Sequence, residues 1–125
     1  MARILVIDDE VDLLKMLEKT LVSAGHEVVS ATDGRNGMRA CQAAPPDLVI
    51  TDLYMPNQDG LDTIAELRIH FPEVRIIAMS GRTMANPMLN IARNLGAAAV
   101  LEKPFLPQLL LTTVEEVLRP EQGRR

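Results

Sequence analysis

The stretch Arg3-Ile4-Leu5-Val6-Ile7-Asp8-Asp9 decides the fold: an apolar run stops on two adjacent carboxylates. The same grammar returns in Leu48-Val49-Ile50-Thr51-Asp52 and in Ile76-Ile77-Ala78-Met79-Ser80. It returns again in Ala97-Ala98-Ala99-Val100-Leu101, where Glu102 separates the run from Lys103. Short apolar runs that end on polar residues read as strands buried on both faces of a parallel sheet. In such a sheet the crevice at the carboxyl ends of the strands is the ligand site. Asp8, Asp9 and Asp52 meeting there would repel one another unless a hard cation joined them. Lys103 adds a second positive charge. The set reads as a Mg²⁺ and phosphoryl site.

Outward from these runs the pattern alternates. Strands are expected over residues 3–7, 27–31, 48–51, 74–79 and 98–101, and helices over 11–24, 35–43, 61–69, 88–94 and 106–118. Leu14, Leu17 and Leu21 recur at helical spacing. Gly25 and Gly96 are stop signals, while Pro87 and Pro107 fit first turns. Strands alternating with helices predict an α/β sandwich around a parallel sheet with right-handed crossovers. One domain is expected over residues 1–119, with a short, polar, disordered tail over 120–125.

Bulk composition narrows the function. The 125 residues suit one core, and 47 % hydrophobic residues can fill it. A net charge of −4 leaves no basic surplus for direct nucleic-acid binding. Two Phe, one Tyr and no Trp are too few for a base-stacking platform. The lone Cys41 has no partner for a disulfide and reads as a small buried hydrophobe. No apolar run approaches the roughly 20 residues of a membrane span, and no signal-peptide pattern opens the chain. The expectation is a soluble, cytoplasmic protein without a membrane partner. His26 and His70 read as exposed surface residues, and Asp12, Asp33, Asp47 and Asp62 as solvated or capping.

The ordered segments Ile7-Asp8-Asp9-Glu10, Asp52-Leu53-Tyr54-Met55-Pro56, Asp59-Gly60, Ser80-Gly81 and Lys103-Pro104-Phe105 resemble a response-regulator receiver domain over nearly the whole chain. The resemblance implies a flavodoxin-like (CheY-like) three-layer sandwich with strand order 2-1-3-4-5. It implies that Asp52 accepts a phosphoryl group from a histidine kinase or phosphotransfer protein. It further implies that Mg²⁺ is held by Asp9 and Asp52 directly, by Asp8 mainly through water, and by the Tyr54 backbone carbonyl. Ser80 and Lys103 would contact the phosphoryl group, with a cis Lys103-Pro104 bond aiming the lysine inward. Lys103 would first pair with Asp52. Asp59-Gly60 would form a turn in which glycine permits positive φ. Tyr54 and Arg82 would flank the phosphoryl group and set its lifetime. The resemblance implies a domain that assists its own phosphorylation and dephosphorylation but is not a turnover enzyme. An output protein, an effector domain or a second copy of the chain would meet it at the fourth helix, fifth strand and fifth helix, with Leu111 or a neighbour at that surface.

Simpler roles exist for the same residues. Asp8 or Asp9 could cap the first helix, Lys103 could be solvated, and Ser80 could be a turn serine. Asp52 at a second strand end favours the metal reading for the aspartates. One position departs from the family: Val100 stands three residues before Lys103, where many receivers carry Tyr or Phe. That aromatic usually rotates during switching. Val100 motivates an alternative, a constitutive interaction module that keeps the fold but not the switch. A phosphatase with an aspartate nucleophile is disfavoured because Tyr54, not an acid, lies two residues after Asp52. A dinucleotide binder lacks its glycine-rich turn after the first strand.

Overall fold

The computed structural model describes residues 1–54, 60–81 and 87–119. Met55, Pro56, Asp59, Arg82, Asn86 and the tail over 120–125 lie outside the described residues, so the expectations placed on them stay expectations. The strands are β1 (Arg3–Ile7), β2 (Glu27–Ala31), β3 (Leu48–Asp52), β4 (Arg75–Ser80) and β5 (Ala99–Glu102). The helices are α1 (Val11–Ser23), α2 (Gly34–Ala43), α3 (Gly60–His70), α4 (Pro87–Leu95) and α5 (Pro107–Leu118). All strand pairings are parallel, in the order β2-β1-β3-β4-β5.

Two apolar layers explain the continuous hydrophobic runs. Successive side chains of a strand point to opposite faces. Ile4 and Val6 of β1 join Leu14, Leu17 and Leu21 of α1 and Leu110 and Val114 of α5. Leu5 and Ile7 join Met38 and Cys41 of α2, Ile64 and Leu67 of α3, and Ala92 of α4. The central β3 is buried along its whole length, whereas the edge strand β2 alternates exposed and half-buried residues up to its buried last residue, Ala31. Burying each large central side chain contributes about 1.5–3 kcal/mol.

Both glycine stops have a structural cause. Gly25 (φ 96°) follows α1, with its N–H bonded to the Val22 carbonyl at 2.9 Å and the His26 N–H bonded to the Leu21 carbonyl at 3.1 Å. Gly96 (φ 124°) follows α4 in the same way, through Arg93 at 3.0 Å and Ala92 at 3.0 Å. These are Schellman closures, which satisfy the last helical carbonyls through a left-handed residue. Pro107 occupies the first turn of α5, where its missing N–H leaves no helical bond unmade.

Two expectations need correction. Gly60 does not adopt positive φ; among the described residues the positive-φ glycines are Gly25 and Gly96. Its role is close approach, because a Cβ there would stand 2.2 Å from the Asp52 carbonyl oxygen and 2.6 Å from the Leu53 Cα. His26 is half-buried rather than exposed, and its Nδ1 accepts a hydrogen bond from the Ala2 N–H at 3.1 Å. The exposed leucine expected at Leu111 or a neighbour is the neighbour: Leu111 is half-buried against the core, and Leu106 and Leu109 are exposed. Three smaller expectations agree with the structure. Cys41 is buried, His70 is exposed, and Asp33 caps α2 by accepting the Asn36 N–H at 2.8 Å.

Candidate functional site

Parallel register carries four of the sequence-predicted groups to the carboxyl ends of neighbouring strands. Ile7 of β1 is level with Thr51 of β3, so the next residues, Asp8 and Asp52, emerge side by side. Asp52 is level with Met79 of β4, and Ser80 follows as the last residue of that strand. Ser80 is level with Glu102 of β5, and Lys103 comes next, its N–H donating to the Ser80 carbonyl at 2.7 Å. Asp8 is anchored by its own N–H, which donates to the Ala31 carbonyl at 3.1 Å. The Lys103-Pro104 peptide bond is cis.

Asp8 and Asp52 are buried, whereas Asp9 is exposed at the mouth. One carboxylate oxygen from each of Asp8, Asp9 and Asp52 can be chosen so that all three lie within 4.8 Å of one another. Asp9, Glu10, Asp52, Tyr54, Gly81 and Lys103 line one cleft. Ser80, which precedes the cleft-lining Gly81, is fully buried. Neither Asp8 nor Asp9 caps α1: its N-cap is Glu10, which makes no side-chain capping bond. Instead the Asp8 carboxylate accepts the Glu10 N–H at 2.9 Å.

Lys103 spreads its charge over three acids. Its Nζ lies 2.7 Å from Asp8, 3.3 Å from Asp52 and 3.4 Å from Glu10. The expected pairing with Asp52 is present, but the shorter contact is to Asp8. Glu10 was missed as a partner. The available signal was a third acid in sequence after Asp8-Asp9, on the first residues leading into a helix.

One ammonium does not neutralise this many carboxylates. Burial pushes the Asp8 carboxyl above its ordinary range, and the Lys103 and Glu10 N–H contacts do not fully offset it. Burial and then the Asp8 charge push Asp52 up as well, against the opposing pull of Lys103 and the Tyr54 backbone. For Lys103, burial pulls the ammonium down, but the Asp8 hydrogen bond and the charges of Asp52 and Asp8 outweigh it and hold it up. The site therefore has a surplus of negative charge in a poorly solvated place.

The donor set suits a hard divalent cation. All three candidate ligands are carboxylate oxygens, the chemistry Mg²⁺ prefers. Asp52 Oδ1 is buried and accepts no hydrogen bond. A buried carboxylate oxygen left without a donor is costly, and a cation would satisfy it.

Comparisons with known proteins agree with one another. Residues 4–115 match the family described as response regulator receiver domain. The transcriptional regulatory protein PrrA of Mycobacterium bovis is 33 % identical over 117 residues, covering 94 % of this chain and 50 % of its own length. The alkaline phosphatase synthesis transcriptional regulatory protein PhoP of Bacillus subtilis is 30 % identical over 120 residues, covering 94 % of this chain and 48 % of its own length. The chain thus spans about half the length of the curated relatives it matches. Among solved structures, the chemotaxis protein CheY4 of Vibrio cholerae superposes with a TM-score of 0.88 at 32 % identity, covering 94 % of this chain and 99 % of that one. A response regulator receiver domain protein from Clostridium thermocellum superposes at 0.89 with 29 % identity, over 100 % of both chains.

Proposed function

This chain belongs to the response regulator receiver domain family, and from that premise we propose that Asp52 is its phosphoacceptor. The observation that carries the reading is Asp52 itself. It is buried, has one carboxylate oxygen without a hydrogen bond, and lies 3.3 Å from the Lys103 ammonium. A carboxylate oxygen of Asp52 attacks phosphorus and forms an acyl phosphate. The bond from phosphorus to the donor breaks, and its electron pair leaves with the donor. The donor is the phosphohistidine of a histidine kinase or phosphotransfer protein.

Bringing an anion to an anion requires neutralising charge beforehand. Asp8, Asp9, Asp52 and the Tyr54 carbonyl would hold a Mg²⁺ ion, which would supply that positive charge. Lys103 supplies more as a compact point charge, and the Ser80 hydroxyl offers a further hydrogen bond. The catalytic effect is positioning and electrostatics. The domain is acted on and assists, rather than turning over a substrate. Phosphorylation shifts a two-state equilibrium that changes partner binding at the face of α4, β5 and α5. Among the described residues no helix is long and apolar enough to cross a membrane, and we place this signalling in the cytoplasm.

Val100 supports the rival reading of a constitutive module. It is half-buried against the α2, α3 and α4 core layer, without the ring whose rotation usually reports the switch. Intact mass after incubation with acetyl phosphate separates the two. A Mg²⁺-dependent gain of one phosphoryl group, absent in Asp52→Asn, supports the phosphoacceptor. No gain from acetyl phosphate or from candidate kinases, on folded protein, favours the constitutive module.

A further inference from the structure

Lys103 has three ammonium hydrogens, and three carboxylates stand around it. Two of them, Asp8 and Asp52, belong to the acidic site. The third, Glu10, lines the same cleft but is not one of the three candidate cation ligands. Its side chain is 66 % exposed, and its contact with Lys103, at 3.4 Å, is the longest of the three. Glu10 is the N-cap residue of α1, yet its side chain caps nothing. Its carboxylate therefore serves neither the helix nor the core. Among the described residues, its side chain meets the Lys103 ammonium.

We propose that Glu10 is a positioning residue for Lys103. It holds one ammonium hydrogen at the mouth of the cleft, draws the lysine charge away from Asp8 and Asp52, and yields that hydrogen when a phosphoryl oxygen arrives. This rests on the reading of Asp52 as phosphoacceptor. With Glu10 in place, Asp8 and Asp52 are less neutralised by Lys103 and hold a divalent cation more tightly. The same exposed carboxylate repels an incoming anionic donor and competes with the phosphoryl oxygen for Lys103. Glu10 thus strengthens cation binding and slows phosphoryl uptake.

Glu10→Gln tests this, since it keeps the length and an acceptor oxygen but removes the charge. The helix cap is untouched because the side chain makes no capping bond. Mg²⁺ affinity can be read without any turnover, by calorimetry and by fluorescence. Tyr54 is the single tyrosine of a chain without tryptophan, and it lines the same cleft. The expected result is a split of opposite sign. Mg²⁺ binding weakens about two- to fivefold, the scale of an exposed ion pair. Phosphoryl uptake from acetyl phosphate at saturating Mg²⁺ rises by about the same factor. A merely structural loss would lower both. Unchanged Mg²⁺ affinity overturns the proposal, and so does a fall in both quantities. Should the wild type take up no phosphoryl group, the phosphoacceptor reading fails by itself. The Mg²⁺ titration then still decides Glu10: weaker binding in the variant supports its role, and equal binding overturns it.

Discussion

Replacing Gly60 by alanine sets two effects against each other, and the structure decides the sign. Gly60 opens α3 at ordinary backbone angles, so helix propensity alone would favour alanine by up to about 1 kcal/mol. Against this, the new Cβ would lie 2.2 Å from the Asp52 carbonyl oxygen and 2.6 Å from the Leu53 Cα, where real Cβ atoms keep at least 3.0 Å. The obstacle is backbone, not a side chain that can swing aside. Something must retreat by about 0.8 Å. Overpacking of this kind costs about 1–3 kcal/mol, and rigid neighbours put it at the upper end. The net is a loss of about 2 kcal/mol. A domain of this size loses roughly 4 °C of melting temperature per kcal/mol, so Tm should fall by about 8 °C. The displaced atoms belong to Asp52, the proposed acceptor, and to Leu53 beside it, so phosphoryl uptake should slow as well. Gly25→Ala provides the contrast. It meets nothing within 4 Å but is forced to hold φ at 96°, which costs about 1–2 kcal/mol, and it should leave uptake unchanged. Calorimetric melting of both variants, with acetyl phosphate rates, makes the comparison. A Gly60→Ala protein that melts at or above the wild-type temperature would refute the close approach on which the reasoning stands.

Two further outcomes follow from charge and burial. The raised carboxyls of Asp8 and Asp52 contribute stability that is present below their unfolded value near 3.8 and is lost as pH rises through the raised folded values. In chelator-treated protein, Asp52→Asn should therefore melt higher than wild type, by a margin that widens as pH rises above the unfolded value near 3.8; a constant or inverted margin would contradict the assignment. Burial pushes the Cys41 thiol up to about 11, and the side chain is inaccessible. Labelling by an aromatic disulfide reagent should wait for global unfolding and accelerate only in denaturant, and prompt labelling of native protein would show that α2 opens locally.

The fold was legible because each strand is announced twice, by its apolar run and by the polar residue that ends it. Residues 27–31 are the weakest announcement, since β2 lies at the edge and half its positions face solvent. Their strand was still readable from Gly25 before them and the helix signals after. Asp8, Asp52, Ser80 and Lys103 were legible as a set because parallel register brings strand ends level. What escaped were relations fixed by three-dimensional approach rather than spacing. Gly60 was expected for its backbone freedom, but it is required because residue 60 returns against the carbonyl of residue 52. His26 looked like a surface residue, and nothing local says that the Ala2 N–H will reach it from the neighbouring strand. Glu10 was read as part of a motif without a task, because its partner lies at the far end of the chain.

The order of the lysine contacts has a consequence for switching. β5 lies at one edge of the sheet, and β4 and β3 separate it from β1. To make its 2.7 Å contact with Asp8, the Lys103 side chain must cross the end of β4 and pass Asp52, which it does at 3.3 Å. A phosphoryl group on Asp52 would therefore meet the ammonium on ground it already occupies, and the lysine need only retreat from Asp8. Retreat leaves Asp8 buried with its charge uncompensated, a cost of several kcal/mol if nothing replaces the ammonium. A divalent cation shared by Asp8, Asp9 and Asp52 is the replacement the geometry allows. Cation binding and lysine transfer are thus linked through Asp8: each makes the other less costly. Asp8→Asn should uncouple them. It removes the charge that ties the lysine down, so Lys103 should serve the phosphoryl group with less dependence on Mg²⁺, even as overall Mg²⁺ affinity drops. Phosphoryl uptake measured across a Mg²⁺ titration reads this directly. A variant whose uptake depends on Mg²⁺ as steeply as the wild type would mean that Asp8 does not mediate the exchange.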